Sequence, residues 1–123
     1  YLWIMQRQAV LELAEKGSCV IVGRCADYIL RENPDCLHVF IHADTKFRAE
    51  RIVRLYGESE KSPELRLKDK DARRSANYKH FTGREWGQCR NYHLSLDSGV
   101  IGADNCVDLI VRLAAGKMLL TEE

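Results

Sequence analysis

An arginine stands directly behind a short run of mostly β-branched residues: Cys19-Val20-Ile21-Val22 is closed by Gly23, and Arg24 follows. Such a run, bounded by a turn residue, suits a strand buried on both faces of a parallel sheet. In open α/β sheets ligands bind outside the carboxyl ends of the strands, which is where Arg24 would stand. Its planar guanidinium matches phosphate oxygens in geometry and charge. The plainer alternative is a structural ion pair with a carboxylate beside the strand. A second group of cations, Arg48, Arg51 and Arg54, recurs at every third position. Arg54 reads as part of a solvated stripe, whereas Arg48 and Arg51 fall in the first two turns behind a second strand and are candidates for a nucleotide. A third group is denser: Arg66, Lys68, Asp69, Lys70, Asp71, Arg73 and Arg74. Ion pairing along a surface helix, Asp69 with Arg73 at i, i+4, is one account of it. A mobile cover that closes cations over a polyphosphate is the other.

The elements that must carry these groups follow from pattern and punctuation. Residues 1–16 read as a helix with Trp3, Val10, Leu11 and Ala14 on one face and Gly17 as its C-cap. Behind Arg24, Ala26 to Arg31 make a short helix that stops before Asn33-Pro34. Leu37 to Ala43 (LHVFIHA) is a second buried strand. Asp44 or Thr45 then caps a helix running to Tyr56 and closed by Gly57, with Ala49, Ile52, Val53 and Tyr56 facing inward. Ser62-Pro63 starts the charged helix, which has little apolar face and is expected to lie over the body. Asn77 to Asn91, with Tyr78, Phe81, Trp86, Gly83 and Gly87, reads as a loop of the binding or lid kind, so that 62–91 forms a lid-like unit. Tyr92 to Asp97 is a third strand, Asp97-Ser98-Gly99 a turn, and a last helix packs Val107, Ile110, Val111 and Ala114 onto the sheet before Gly116. This order gives a three-layer α/β/α fold with a mainly parallel sheet.

The bulk numbers narrow the function classes. At 123 residues the chain is one domain, 1–123, with 46% hydrophobic and 30% charged residues, ordinary for a globular protein. A net charge of +1 gives no bulk electrostatic case for nucleic-acid binding. The five cysteines, Cys19, Cys25, Cys36, Cys89 and Cys106, form no CxxC and no zinc-like spacing with the four histidines, so no metal site is expected. Free thiols in a reducing cytoplasm are the expected state, with Cys19 packed in the core. No run approaches the roughly 20 apolar residues of a membrane helix, and no signal peptide is visible.

Taken together and in order, CVIVGRCADYIL, HVFIHA with its arginine-bearing helix, DxxR, GREWG, NYH and LDSG resemble the bacterial cytidylate kinase-like family, relatives of the P-loop nucleoside monophosphate kinases. The resemblance spans nearly the whole chain; the ordered set is specific, although no single motif is. It implies ATP with Mg²⁺ as donor and a nucleoside monophosphate such as CMP as acceptor. It implies that Arg24 grips the acceptor's phosphate, and that Asp71 and Arg74 are the DxxR of a lid helix, the Asp suited to ribose hydroxyls and the Arg to phosphoryl oxygens. Arg73 is the neighbour that serves if the register shifts by one. Arg48 and Arg51 are implied to contact donor phosphates or adenine.

Two departures qualify this. Where cytidylate kinases carry an Asp behind the Gly-Arg pair, this sequence has Cys25, so cytosine reading is not carried over; Asp27, two residues on, is the nearest carboxylate. The sequence also contains no GxxxxGK followed by Ser or Thr, the loop whose backbone N–H groups and Lys cradle donor phosphates. In the family that loop follows a first strand lying between the counterparts of Cys19–Val22 and Leu37–Ala43, so those two runs are not expected to pair with each other. The expectation is therefore the C-terminal portion of a nucleotide kinase, without its first strand and inactive as given. The alternatives are a catalytically silent nucleotide-binding or regulatory module of the same fold, and an α/β domain unrelated to nucleotides.

Overall fold

A computed structural model describes residues 2–116. Tyr1, expected as the first residue of the opening helix, lies outside the described residues. Helix α1 (Leu2–Lys16) ends at Gly17, as the pattern requires. Its Val10 is buried with Ala26 and Leu30, and Leu11 and Ala14 pack against them. The short α2 (Ala26–Ile29) therefore docks on α1, and Trp3 stacks on Phe81 with ring centroids 4.8 Å apart.

The sheet is smaller than expected. Strand β1 (Val39–His42) pairs in parallel with β2 (Leu94–Asp97), Val39 opposite Leu94 and His42 opposite Asp97. Cys19 to Val22 belongs to no strand. A strand exists only through a neighbour, and here the two other runs take each other as partners. Val20 and Val22 are consequently 91% and 85% exposed, while Ile21 alone joins the cluster around Val10. Cys19 is exposed too, its thiol near the Leu13 carbonyl, rather than in the core. Cys19–Val22 and Leu37–Ala43 do not pair with each other.

Between the strands run the two helices that matter most. α3 (Thr45–Tyr56) is capped by Asp44, whose carboxylate accepts from the Phe47 N–H at 2.8 Å, and it closes at Gly57. Ala49 and Ile52 are buried and Val53 packs beside them, but Tyr56 is exposed under Lys70. α4 (Pro63–Thr82) starts on the Ser62 cap with Pro63 in its first turn and ends at the left-handed Gly83. It is longer than the sequence suggests: Asn77 to Thr82, expected in a loop, are its last turns. Only Gly83 onward is loop, leading through a 3₁₀ turn (Cys89–Asn91) to β2.

That loop is pinned on β1. Phe40 meets Trp86 edge-on at 5.5 Å and Tyr92 at 5.0 Å between centroids. Gly87 has φ 82°, and a Cβ there would sit 3.2 Å from the Phe40 ring, so a larger residue would strain the backbone and press on the ring at this crossing.

Past β2, Asp97 caps α5 (Ser98–Ile101), accepting from the Gly99 and Val100 N–H groups. α6 (Ala103–Ala115) follows, but its inward face is rotated one residue from expectation. Cys106 is buried and Ile110 and Leu113 half-buried, whereas Val107, Val111 and Ala114 are exposed. Apolar residues occupy both stripes, and α5 is the neighbour packed against this helix. Among the described residues no helix is long and apolar enough to cross a membrane.

Candidate functional site

The turn between Val22 and α2 is strained. Gly23, Arg24 and Cys25 are all left-handed, with φ of 69°, 61° and 55°. Glycine adopts this at no steric cost, but each L-residue there costs on the order of 1 kcal/mol. The turn is held from two sides. Ala26 N–H donates to the Gly23 carbonyl at 3.1 Å, and Gln6 Nε2 donates to the Arg24 carbonyl at 3.0 Å. The result buries Cys25 and leaves the Arg24 side chain exposed, with no hydrogen bond or ion pair among the described residues. Cys25 is the N-terminal flank of α2, and burial, then Asp27, pushes its thiol above the ordinary range. It stays a neutral, weak hydrogen-bonding group.

Asp27 is engaged from α4. The Tyr78 hydroxyl donates to Asp27 Oδ2 at 2.7 Å, and Tyr78 is 5% exposed. Burial first, then this hydrogen bond, raises the Tyr78 phenol far above its usual value; burial and Asp27 raise Tyr92 in the same way. Arg31 and Arg84 both lie over the Tyr28 ring, 3.9 and 5.0 Å from its centroid. Behind them His38 and His93 stack at 5.0 Å, His38 N–H donating to His93 Nδ1.

The second centre joins α3 to α4. Arg48 Nη1 and Nη2 meet Asp71 Oδ2 and Oδ1 at 2.6 and 2.8 Å, a bidentate pair, and Arg74 Nη1 reaches Asp71 Oδ1 at 3.3 Å. The Arg48 hydrogen bond, more than any other influence, holds the Asp71 carboxyl below the usual carboxylate range. Arg48 also lines, with Arg51, His42 and Ser98, a cleft of about 400 Å³ outside the carboxyl ends of β1 and β2. That is the position at which open α/β sheets bind ligands.

Of the residues singled out by sequence, Arg48, Asp71 and Arg74 are thus brought together, Arg51 lies on the same cleft, and Arg24 with Asp27 form a separate group two turns further along α4. The link is helix phase: Asp71 and Tyr78, seven residues apart, share one face about 10 Å apart along the axis. Arg73 points elsewhere and is exposed, with no ion pair among the described residues. The expected Asp69–Arg73 pair does not form, because Lys61 binds Asp69 instead. Tyr78, Arg84 and Tyr92 were not assigned a role by sequence reasoning. Their signal was present in GREWG and NYH, and in the phase of Leu67, Asp71 and Tyr78.

The Asp71 shift has a pH consequence. A carboxyl whose folded pKa lies below 3.8 contributes stability that is present above that value and lost as pH falls through the folded pKa. At side-chain exposures of 29% and 28% for Arg48 and Asp71, solvent screening limits the contribution to about 0.5–1 kcal/mol. Denaturant titration between pH 6 and pH 2.5 should therefore show an acid loss that Asp71→Asn makes shallower. An unchanged acid limb in the variant would refute the pairing.

Comparison with known proteins places this geometry. The model of a family described as the cytidylate kinase-like family matches residues 2–100. A crystal structure of an uncharacterized protein from Eubacterium ventriosum ATCC 27560 superposes with a TM-score of 0.79 at 30% identity, over 91% of this chain and 62% of that one. The chain thus spans less than two thirds of the length of that solved structure. No curated protein matches.

Proposed function

The chain belongs to the cytidylate kinase-like family, and from that premise we propose that it is the acceptor- and lid-bearing part of a nucleotide kinase with a three-layer P-loop architecture. The reaction is transfer of the ATP γ-phosphoryl to a nucleoside monophosphate. The acceptor's phosphate oxygen attacks, the bond to the bridging β,γ-oxygen breaks, and ADP leaves. The observation that carries this reading is the convergence of Arg48 and Arg74 on one carboxylate, with Arg48 and Arg51 on the cleft at the strand ends. Guanidiniums so placed suit a polyphosphate in shape and charge.

In this reading Arg24, held outward by its turn, grips the acceptor phosphate. Arg74 and Arg48 neutralise charge on the group in transit, and Arg51 contacts the donor. α4 acts as the lid that keeps water from the γ-phosphoryl. Catalysis is positional and electrostatic, without a covalent intermediate. Asp27, engaged through Oδ2, steadies the Arg24 turn and contacts the acceptor, whose base the neutral Cys25 thiol leaves weakly specified. Mg²⁺ is the divalent ion such transfers employ. Among the described residues no group of three His, Cys, Asp or Glu converges to hold a metal, and the sequence carries no phosphate loop, so no step is assigned to the ion here.

The test is ATP consumption by the protein expressed from its complete reading frame, against a panel of nucleoside monophosphates, with Arg24→Ala and Arg74→Ala beside it. Turnover with one acceptor, reduced at least about 100-fold by each change, is expected. A folded protein that binds nucleotide and turns over none would replace this reading with the silent module. Alanine variants that lose stability in a protein without nucleotide affinity would point to the unrelated α/β domain.

A further inference from the structure

Asp71 sits where a ligand's anion belongs. Its two oxygens face the two Nη atoms of Arg48 in a parallel fork, the arrangement a guanidinium makes with phosphate as readily as with carboxylate. A second guanidinium, Arg74, closes on Oδ1. Arg48 comes from α3 and stands at the edge of the cleft outside the strand ends, while Asp71 and Arg74 come from α4. The same contact that satisfies Arg48 therefore ties the charged helix to α3.

We propose that Asp71 is an internal anion that occupies the phosphate-binding fork of Arg48 and Arg74 and is displaced when a polyphosphate enters. The proposal rests on the nucleotide-kinase reading and adds a means of regulating that site. A phosphate chain carries more charge and more acceptor oxygens than one carboxylate, so it outcompetes Asp71 for the same two guanidiniums. In its absence Asp71 keeps two arginines from repelling each other and keeps α4 docked. Binding then exchanges an internal ion pair for an external one, and the apparent affinity for phosphate is set below the intrinsic affinity by the strength of the Arg48–Asp71 pair. This differs from the role that resemblance gives Asp71, contact with ribose hydroxyls, and the two are separable with a ligand that has no ribose.

The probe is inorganic tripolyphosphate, titrated by calorimetry into the protein expressed from its complete reading frame. Three forms are compared: unmodified, Asp71→Asn and Asp69→Asn. Asp69 lies on the same helix but pairs with Lys61, so Asp69→Asn makes the same change in net charge without touching the fork. The expected result is tighter binding in Asp71→Asn, by roughly two- to fivefold, with Asp69→Asn close to the unmodified protein. Equal tightening in both variants would reduce the effect to net charge and overturn the proposal. Unchanged or weaker binding in Asp71→Asn would overturn it while leaving the kinase reading in place. Absence of tripolyphosphate binding in all three would overturn both. A measurement on the unmodified protein guards against a misfolded variant. The Asp71 carboxyl, followed by carbon NMR, should titrate at higher pH once tripolyphosphate saturates the site, because Arg48 has left it. A titration unmoved by the ligand would overturn the displacement.

Discussion

Replacing Arg24 with Gly should make the protein more stable and, in the proposed kinase, slow phosphoryl transfer by orders of magnitude. Both halves come from the same turn. Arg24 is held at φ 61° between Gly23 at 69° and Cys25 at 55°. Left-handed geometry strains a side-chain-bearing residue, and glycine relieves about 1 kcal/mol of that strain. No hydrogen bond or ion pair to the guanidinium exists among the described residues to offset the gain, and the turn's own bonds, Gln6 to the Arg24 carbonyl and Ala26 to the Gly23 carbonyl, use backbone atoms that glycine keeps. A residue that strains the fold, is exposed, and has no side-chain hydrogen bond or ion pair among the described residues is poorly explained by packing. If Arg24 grips the acceptor phosphate as proposed, its removal should lower kcat/KM by about 10²–10³-fold, the range found when one preorganised charge is deleted. Thermal unfolding and steady-state kinetics on one preparation decide it. If Arg24→Gly loses stability along with activity, Arg24 is a structural ion-pair member after all.

How much of this was readable beforehand depends on whether the decisive interaction is local. The caps of α3 and the start of α4 were, because their chemistry lies within three residues: Asp44 with Phe47, Ser62 with Leu65, and Gly57 behind its helix. β1 and β2 were found within two residues at each end from apolar pattern alone. The misreadings share one cause, a partner distant in sequence. Cys19–Val22 has the composition of a strand, but composition does not supply the adjacent edge that makes one. The face of α6 was read through Val107 and Val111, since nothing in a doubly apolar helix says which stripe its neighbours will cover.

The candidate site shows the same division. Arg24 and Arg48 were identifiable by type and position, and Asp71 with Arg74 through the resemblance of their DxxR to the family's motif; an i, i+3 pair on one helix is a local fact. That Arg48, 23 residues before Asp71, closes on its carboxylate is not local, nor is the bond from Tyr78 to Asp27, 51 residues earlier. The charged run of α4 also hid its inner face. Between Leu67 and Tyr78 the inward position is taken by Asp71, so the usual apolar repeat is interrupted at the candidate site.

Tyr78 supplies the second large effect, and it separates packing from bonding. Tyr78→Ala removes a side chain that is 5% exposed and should destabilise the protein by about 3–5 kcal/mol, enough to unfold a marginal domain. Tyr78→Phe keeps the ring and removes only the hydroxyl that reaches Asp27 Oδ2 at 2.7 Å. Its cost is about 1–2 kcal/mol, because a partly buried carboxylate then loses a donor. The phenol's raised pKa adds a signature of its own. A group with a raised folded pKa contributes stability that is complete below its unfolded value, here 10.0, and that is lost as pH rises beyond it, since the unfolded chain ionises first. Unmodified protein should therefore lose stability steeply above pH 10, and Tyr78→Phe less steeply, the remainder coming from Tyr92, which is raised by the same surroundings. Kinetics give the functional half. If Arg24 binds the acceptor as proposed, Asp27 acts on it only through the turn, so loosening Asp27 should raise KM for the monophosphate several-fold more than it lowers kcat. A Tyr78→Phe protein with the alkaline limb and acceptor KM of the original would mean that the Asp27 bond neither stabilises α4 nor positions Arg24.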